Sequence, residues 1–465
     1  MNRKLASAVE LHYAIEELKS LLGSRANTSP AVRDHHSGGE SYHAAAPPDI
    51  VCFPTNTQEI SRILQISATH KVPVIPFGAG SSLEGHVNAI YGGITIDLRE
   101  MNRVLRISTE DLDATVEAGV TRNQLNKALN NTGLTFFIDP GADCTIGGMS
   151  ATRASGTTAV RYGTMRENVL GLTVVLADGR IIQTGSRARK SSAGYDLTHL
   201  FVGSEGTLGV ITEVTVRLHP LPEAVAAAVC SFDDMQGAVK TVIETIQLGV
   251  SVARIELLDE RQMEAVNRYS RTDYAVAPTI FFEFHGTNAR NVSDQATFVE
   301  SLAAEHGGLS FQWATHPEDR ERLWKARHDA YYAALSLRPG AKGFITDVCV
   351  PISRLADCII ETQQDHAEVP FPVTLIAHAG DGNFHLIYVV DPNEPRELAQ
   401  ASHLADRVVM RALAMSGTCT GEHGVGYGKK KYLVKEHRAA LAVIRDIKNI
   451  FDPQNLMNPG KIVDG

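Results

Sequence analysis

Apolar residues recur at helical spacing through A-S-A-V-E-L-H-Y-A-I-E-E-L-K, which predicts an amphipathic helix over residues 1–24. A polar stretch with Asp34, His35 and His36 runs on to about Pro48 and reads as a surface loop. The segment I-V-C-F-P-T-N-T-Q-E-I-S-R-I-L-Q-I-S-A-T-H then predicts a strand, a turn at Pro54 and a helix capped by Thr55 or Thr57. Further strands follow in V-P-V-I-P-F, I-T-I-D-L, V-L-R-I and A-T-V-E-A-G-V, with a helix around Leu125. L-T-V-V-L-A-D-G-R-I-I-Q-T-G predicts a hairpin with Asp178 and Gly179 at its tip, and a last strand ends near Leu218.

Past Pro220-Leu221-Pro222 the texture changes. A-V-A-A-A-V-C-S-F predicts a strand, D-D-M-Q-G-A-V-K-T-V-I-E-T-I-Q-L an amphipathic helix, and A-R-I-E-L-L-D and T-I-F-F-E-F-H-G two more strands. This fits β-α-β units with antiparallel pairing. L-W-K-A-R-H-D-A-Y-Y-A-A-L predicts one helix with Trp324, Arg327 and Tyr331 on a shared face. The expected division is 1–44 as an N-terminal helix and loop, 45–222 and 223–410 as two domains, and 411–465 as a segment returning to the first.

At 465 residues the chain exceeds a single core, and 43% hydrophobic with 21% charged residues describes a globular protein. A net charge of -9 with no long Lys/Arg run argues against nucleic acid. Six scattered cysteines without C-x-x-C spacing read as reduced thiols, hence an expected cytoplasmic location. No run is apolar enough to span a bilayer, so membrane attachment is expected to be at most peripheral, at the inner membrane.

Four Gly-rich loops, at 78–85, 141–148, 156–163 and 203–209, interrupt the first half. Such loops after strands expose backbone N–H groups that approach a diphosphate closely. P-F-G-A-G-S-S-L-E-G, D-P-G-A-D-C-T-I-G-G-M and G-S-E-G-T-L-G-V-I-T resemble the FAD-binding domain of the vanillyl-alcohol-oxidase type. The resemblance implies an α+β fold: a two-part FAD-binding (PCMH-type) domain, a substrate-capping α+β domain with an antiparallel sheet, and a C-terminal helical segment. It also implies that Pro76, Gly78, Ala79, Gly80, Ser81 and Ser82 bind the pyrophosphate. Pro140, Gly141, Ala142, Thr145, Gly147 and Gly148, with Gly156, Tyr162 and Gly163, would continue along FAD; Glu205, Gly206 and Ile211 would lie by the adenosine and Asn458 by the isoalloxazine. Some relatives tether flavin through a histidine where this chain has Ser81, so non-covalent FAD is expected and His86 is not expected to be a tether.

I-A-H-A-G-D-G-N-F-H sets His378 and His385 on either side of a glycine turn, and T-C-T-G-E-H-G-V-G adds Glu422 and His423. Two histidines and a carboxylate suit a divalent metal. These segments, with W-K-A-R, T-D-V-C-V-P and L-M-N-P-G-K, resemble FAD-linked D-lactate and D-2-hydroxyacid dehydrogenases of the cytochrome-linked type. The resemblance implies zinc or manganese on His378, His385 and Glu422, with His423 as catalytic base. Arg327 would clamp the substrate carboxylate, with Trp324 and Lys342 as further substrate contacts. A D-2-hydroxy acid would then lose hydride to flavin N5, with electrons leaving to a cytochrome, a quinone or an electron-transfer flavoprotein; a homodimer stays open. Thr346 and Ile387 stand where 2-hydroxyglutarate dehydrogenases carry lysine and asparagine, which points to an apolar substrate tail. The alternatives are a D-2-hydroxyglutarate dehydrogenase and a flavin subunit of a glycolate oxidase assembly.

Overall fold

The computed structural model describes residues 6–366 and 368–464. The chain divides into two compact units. One is built from the chain up to Gly156, Gly163–Leu221 and the chain from Glu422 onward; the other from Thr157–Tyr162 and Pro222–Gly421.

In the first unit, Ile50–Cys52, Ile94–Asp97 and Val74–Phe77 form the parallel part of a four-stranded sheet, with Ala26–Asn27 antiparallel at its edge. Ile50, Val51 and Cys52 are all fully buried, as a strand covered on both faces requires. The helix Ala8–Leu22 starts with a reciprocal cap in which Ser7 and Glu10 each accept from the other's backbone N–H. Its Ala14, Leu18 and Leu22 join Ile60, Ile63 and Leu64 of the helix Thr57–His70 in one core. Residues 8–22 therefore share the first unit's core rather than forming a segment of their own.

A five-stranded antiparallel sheet completes this unit, in the order Val104–Ser108, Asp113–Glu117, Val210–Arg217, Val169–Val175, Ile181–Gln183. The last two strands are the hairpin expected around Asp178-Gly179, and Gly179 takes a φ of +86° at its tip. The loop after the N-terminal helix departs from expectation. His36 is buried, with Nε2 2.9 Å from Asp97 Oδ2 and Nδ1 2.7 Å from Val32 O. The ring finds partners on both sides, so it does not need the solvent its polar context suggested.

The second unit is an eight-stranded antiparallel sheet with helices packed on it. Its order is Gly308–Ala314, Ala224–Phe232, Thr279–Gly286, Val252–Leu258, Val373–His378, Asn383–Val390, Lys342–Ile345, with Val348–Cys349 also paired to Asn383–Val390. Phe281, Phe282 and Phe284 are buried on its two faces. The single helix expected around Trp324 is two, Pro317–His328 and Ala330–Ser336, meeting at Asp329. Ser270 Oγ and Lys325 Nζ donate to the Asp329 carboxylate at that joint, and Tyr331 lies beyond it on the second helix. The chain re-enters the first unit at Glu422, where residue 411 was expected; 411–414 still belong to the helix Pro395–Ala414.

Candidate flavin cleft and metal centre

A cleft with a cavity volume of about 190 Å³, open at its mouth, runs through the first unit. Pro76, Gly78, Ala79, Gly80, Ser81 and Ser82 wall it, with Pro140, Ala142, Thr145, Gly147 and Gly148 from a second loop and Glu205, Gly206 and Ile211 from a third. Asn458, Glu422 and His423 also line it. Two glycines are required by close approach: a Cβ at Gly78 would sit 2.4 Å from Thr145 Oγ1, and one at Gly147 2.5 Å from Ala118 Cβ. None of the described lining residues is Lys or Arg, so a diphosphate here would be met by backbone N–H groups. Ser82 Oγ and Asn458 Oδ1 are buried without a hydrogen-bond partner among the described residues. Such orphaned atoms in a glycine-walled cleft fit a long polar cofactor.

Other expected cofactor residues are not among those lining the cleft. Tyr162 belongs to the second unit, where its hydroxyl is 2.7 Å from His285 Nδ1 and Arg161 donates to Ser251 O and His285 O. Gly141, Gly156 and Gly163 are not among the lining residues. A Cβ on Gly156 would meet Asp139 O at 1.9 Å, which accounts for that glycine by backbone packing alone. The lining also includes Cys144, whose Sγ lies 3.1 Å from Ser81 Oγ, and His86.

Glu205 lines the cleft, but its carboxylate turns to the loop after Glu422. It accepts from Val425 N at 2.7 Å and Gly426 N at 2.8 Å, with His86 Nε2 3.3 Å away. Burial pushes its carboxyl up, yet His86 and the two N–H groups outweigh that and hold it below the usual carboxylate range. In the same loop His423 Nε2 lies 3.9 Å from Glu422 Oε1.

In the second unit, the turn between Val373–His378 and Asn383–Val390 is the I-A-H-A-G-D-G-N-F-H stretch. Gly382 takes a φ of +76°, and a Cβ there would meet Val350 O at 2.1 Å. Ile376 pairs with His385 and His378 with Asn383, so strand alternation puts both imidazoles on one face. Their ring centroids are 5.3 Å apart. His378 Nδ1 is 2.7 Å from Glu256 Oε1 and His385 Nδ1 3.1 Å from Thr346 O. Each imidazole thus has Nδ1 held by an acceptor, which sets Nε2 as the nitrogen to meet a metal, the usual outer support of a histidine ligand. These two residues fit a divalent ion by that chemistry. Asp347, fully buried, lies 3.7 Å from His385 Nδ1 and accepts from Asn383 Nδ2 and Thr420 Oγ1.

Glu256 was not anticipated and is the centre of this cluster. It is fully buried on Val252–Leu258 and also accepts from Arg327 Nε at 2.7 Å. Burial pushes its carboxyl up, but His378 and Arg327 pull it below the usual range. Arg327 is therefore already paired to a carboxylate, and a substrate would share it. Trp324 is buried in the core, packed against Phe281 with Arg254 5.3 Å over its ring. Lys342 is exposed and pairs with Val390, five residues along the strand from His385, at about 3.3 Å per residue. That reach is too long for a shared substrate anion.

Residues 48–185 match the family description "FAD binding domain" and residues 221–462 match "FAD linked oxidases, C-terminal domain". A zebrafish (Danio rerio) protein named a probable mitochondrial D-lactate dehydrogenase is 49% identical, covering 99% of this chain and 93% of its own. An Arabidopsis thaliana protein named a mitochondrial D-lactate dehydrogenase (cytochrome) is 46% identical, covering 97% and 80%. The solved structure of p-cresol methylhydroxylase superposes with a TM-score of 0.83 at 18% identity, covering 99% and 98%, and shares the fold. The two relatives' names correct the cytoplasmic expectation, pointing to mitochondria instead. The six cysteines are free, but reduced thiols do not choose among reducing compartments.

Proposed function

The chain belongs to the FAD-linked oxidases, and on that premise we propose that it oxidises D-lactate, or another short aliphatic D-2-hydroxy acid, to the 2-oxo acid. The observation that carries the reading is the buried run His378–Glu256–Arg327, which sets a metal-type imidazole and a carboxylate-binding cation against one anion. The names of the two relatives support it. Bound FAD supplies the hydride acceptor, and a zinc or manganese ion the Lewis acid for the substrate hydroxyl. His378 and His385 would hold the ion, with Glu422 as the third ligand the sequence resemblance implies. Arg327 shares its guanidinium between Glu256 and the substrate carboxylate, which fixes the Cα–H direction. His423 accepts the hydroxyl proton as neutral imidazole.

Ile387, on the same strand face as His385, is buried among Trp324, Leu323 and Ile376. Thr346 is buried too, its Oγ1 accepting from Leu386 N. Neither offers a cation to a second carboxylate, which favours a short apolar tail over 2-hydroxyglutarate. A cytochrome is the acceptor we assign, following the Arabidopsis relative's name. The test is dye reduction by purified protein with D-lactate, L-lactate and D-2-hydroxyglutarate, before and after chelation. D-lactate should be preferred and chelation should abolish turnover until zinc or manganese is restored. No reduction with any D-2-hydroxy acid in the metal-loaded protein would refute the reading, and full activity after complete metal removal would refute the metal's part.

A further inference from the structure

We propose that Glu205 is a positioning residue for His423, setting the loop of the proton acceptor rather than holding the adenosine end of FAD. The inference rests on the role given to His423 above. Glu205 lies 220 residues before Val425 in the chain, yet its two carboxylate oxygens take the consecutive N–H groups of Val425 and Gly426, one each. Both are backbone groups within three residues of His423. A bidentate carboxylate on two successive N–H groups fixes the path of that loop in direction as well as distance.

Three further observations show that this grip is built. Glu205 is buried and holds a φ of +53°, a conformation L residues avoid, so its surroundings enforce it. Asn458 Nδ2 donates to both Glu205 O and His86 O, which ties the backbones of the carboxylate and its imidazole partner together. Gly424, between His423 and the gripped amides, lies so close that a Cβ would sit 2.7 Å from His86 Nε2 and 2.8 Å from Glu205 Oε1. Glu205, His86, Gly424 and the two amides thus form one packed unit on the wall of the cleft that His423 also lines. A misplacement of about 1 Å in a reacting group costs on the order of 100-fold in rate, so a group that fixes this loop acts on turnover.

The test is Glu205→Gln in the FAD- and metal-loaded protein. Gln keeps the size but has a single acceptor oxygen, so one of the two N–H groups loses its partner. Turnover of D-lactate should fall roughly 10- to 100-fold with KM changed less than about threefold. The FAD dissociation constant, read from flavin fluorescence, should stay within about threefold, and amide exchange at Val425 and Gly426 should accelerate at least about tenfold. Gly424→Ala, which presses on the same pair from the loop side, should give the same signature and serves if Glu205→Gln does not fold. FAD affinity lost by tenfold or more, with kcat of the saturated enzyme unchanged, would overturn the proposal. A wild-type protein inactive on every D-2-hydroxy acid would refute the proposed function instead; amide exchange then decides for Glu205, and unchanged protection of the two amides would overturn its role.

Discussion

Replacing Glu256 by glutamine tests the buried cluster most directly. The carboxylate uses separate oxygens, Oε1 for His378 Nδ1 and Oε2 for Arg327 Nε, both at 2.7 Å. A carboxylate can satisfy two donors this way; a carboxamide has one oxygen, and its NH2 would face a donor. One of the two donors is therefore left buried and unmatched, at a cost of about 1–3 kcal/mol. Removing the charge adds to this, since breaking a buried ion pair costs about 3–5 kcal/mol. Arg327 retains some access to water, its side chain being 16% exposed, so the lower ends of both ranges apply and the total should be about 4 kcal/mol. The same change frees the His378 ring to rotate, and loss of such an outer partner typically weakens metal binding about 10–100-fold. The measurements are urea unfolding of the apo protein and a zinc or manganese titration of the native one. A Glu256→Gln protein with wild-type urea midpoint and wild-type metal affinity would refute the argument. A stability loss without any change in metal affinity would keep the ion pair but remove His378 as a ligand.

Asp259 provides a pH-dependent test. It accepts from Gln262 N and Leu375 N, yet complete burial pushes its carboxyl up to about 7 from 3.8. The folded state then holds the proton more tightly than the unfolded chain, so its contribution is present below pH 3.8 and lost as pH rises through 7, on the order of 4 kcal/mol in all. Asp259→Asn keeps a cap acceptor and cannot ionise, so its urea midpoint should change less with pH across that window and exceed the wild type's at pH 8; parallel curves would contradict this. Lys342→Ala should leave kcat/KM for D-lactate within about twofold, since the register carries that lysine away from His385; a tenfold rise in KM would restore it as a substrate contact. Acid precipitation should release the flavin into the supernatant, because Ser81 stands where a histidine tether would be; a yellow pellet would point to Cys144, the thiol beside Ser81, or to His86.

The sequence by itself determined the elements and the loops. Period-two and period-3.6 patterns located the strands Ile94–Asp97 and Asp113–Glu117 and the helix Met235–Gln247, because local burial is written in local spacing. Glycine spacing marked the loops at 78–82 and 140–148 that wall the cleft, since only glycine tolerates those approaches. The two histidines were legible as a pair because one tight turn puts them on one strand face. Only the tertiary structure decided what those groups are bonded to. Glu256 meets His378 across 122 residues, Arg327 meets Glu256 across 71, and Glu205 meets Val425 across 220. It also placed Tyr162 in the second unit and Trp324 in the core. A carboxylate carries no periodic signature, so its partner is fixed by sheet register and loop path, which no local stretch encodes.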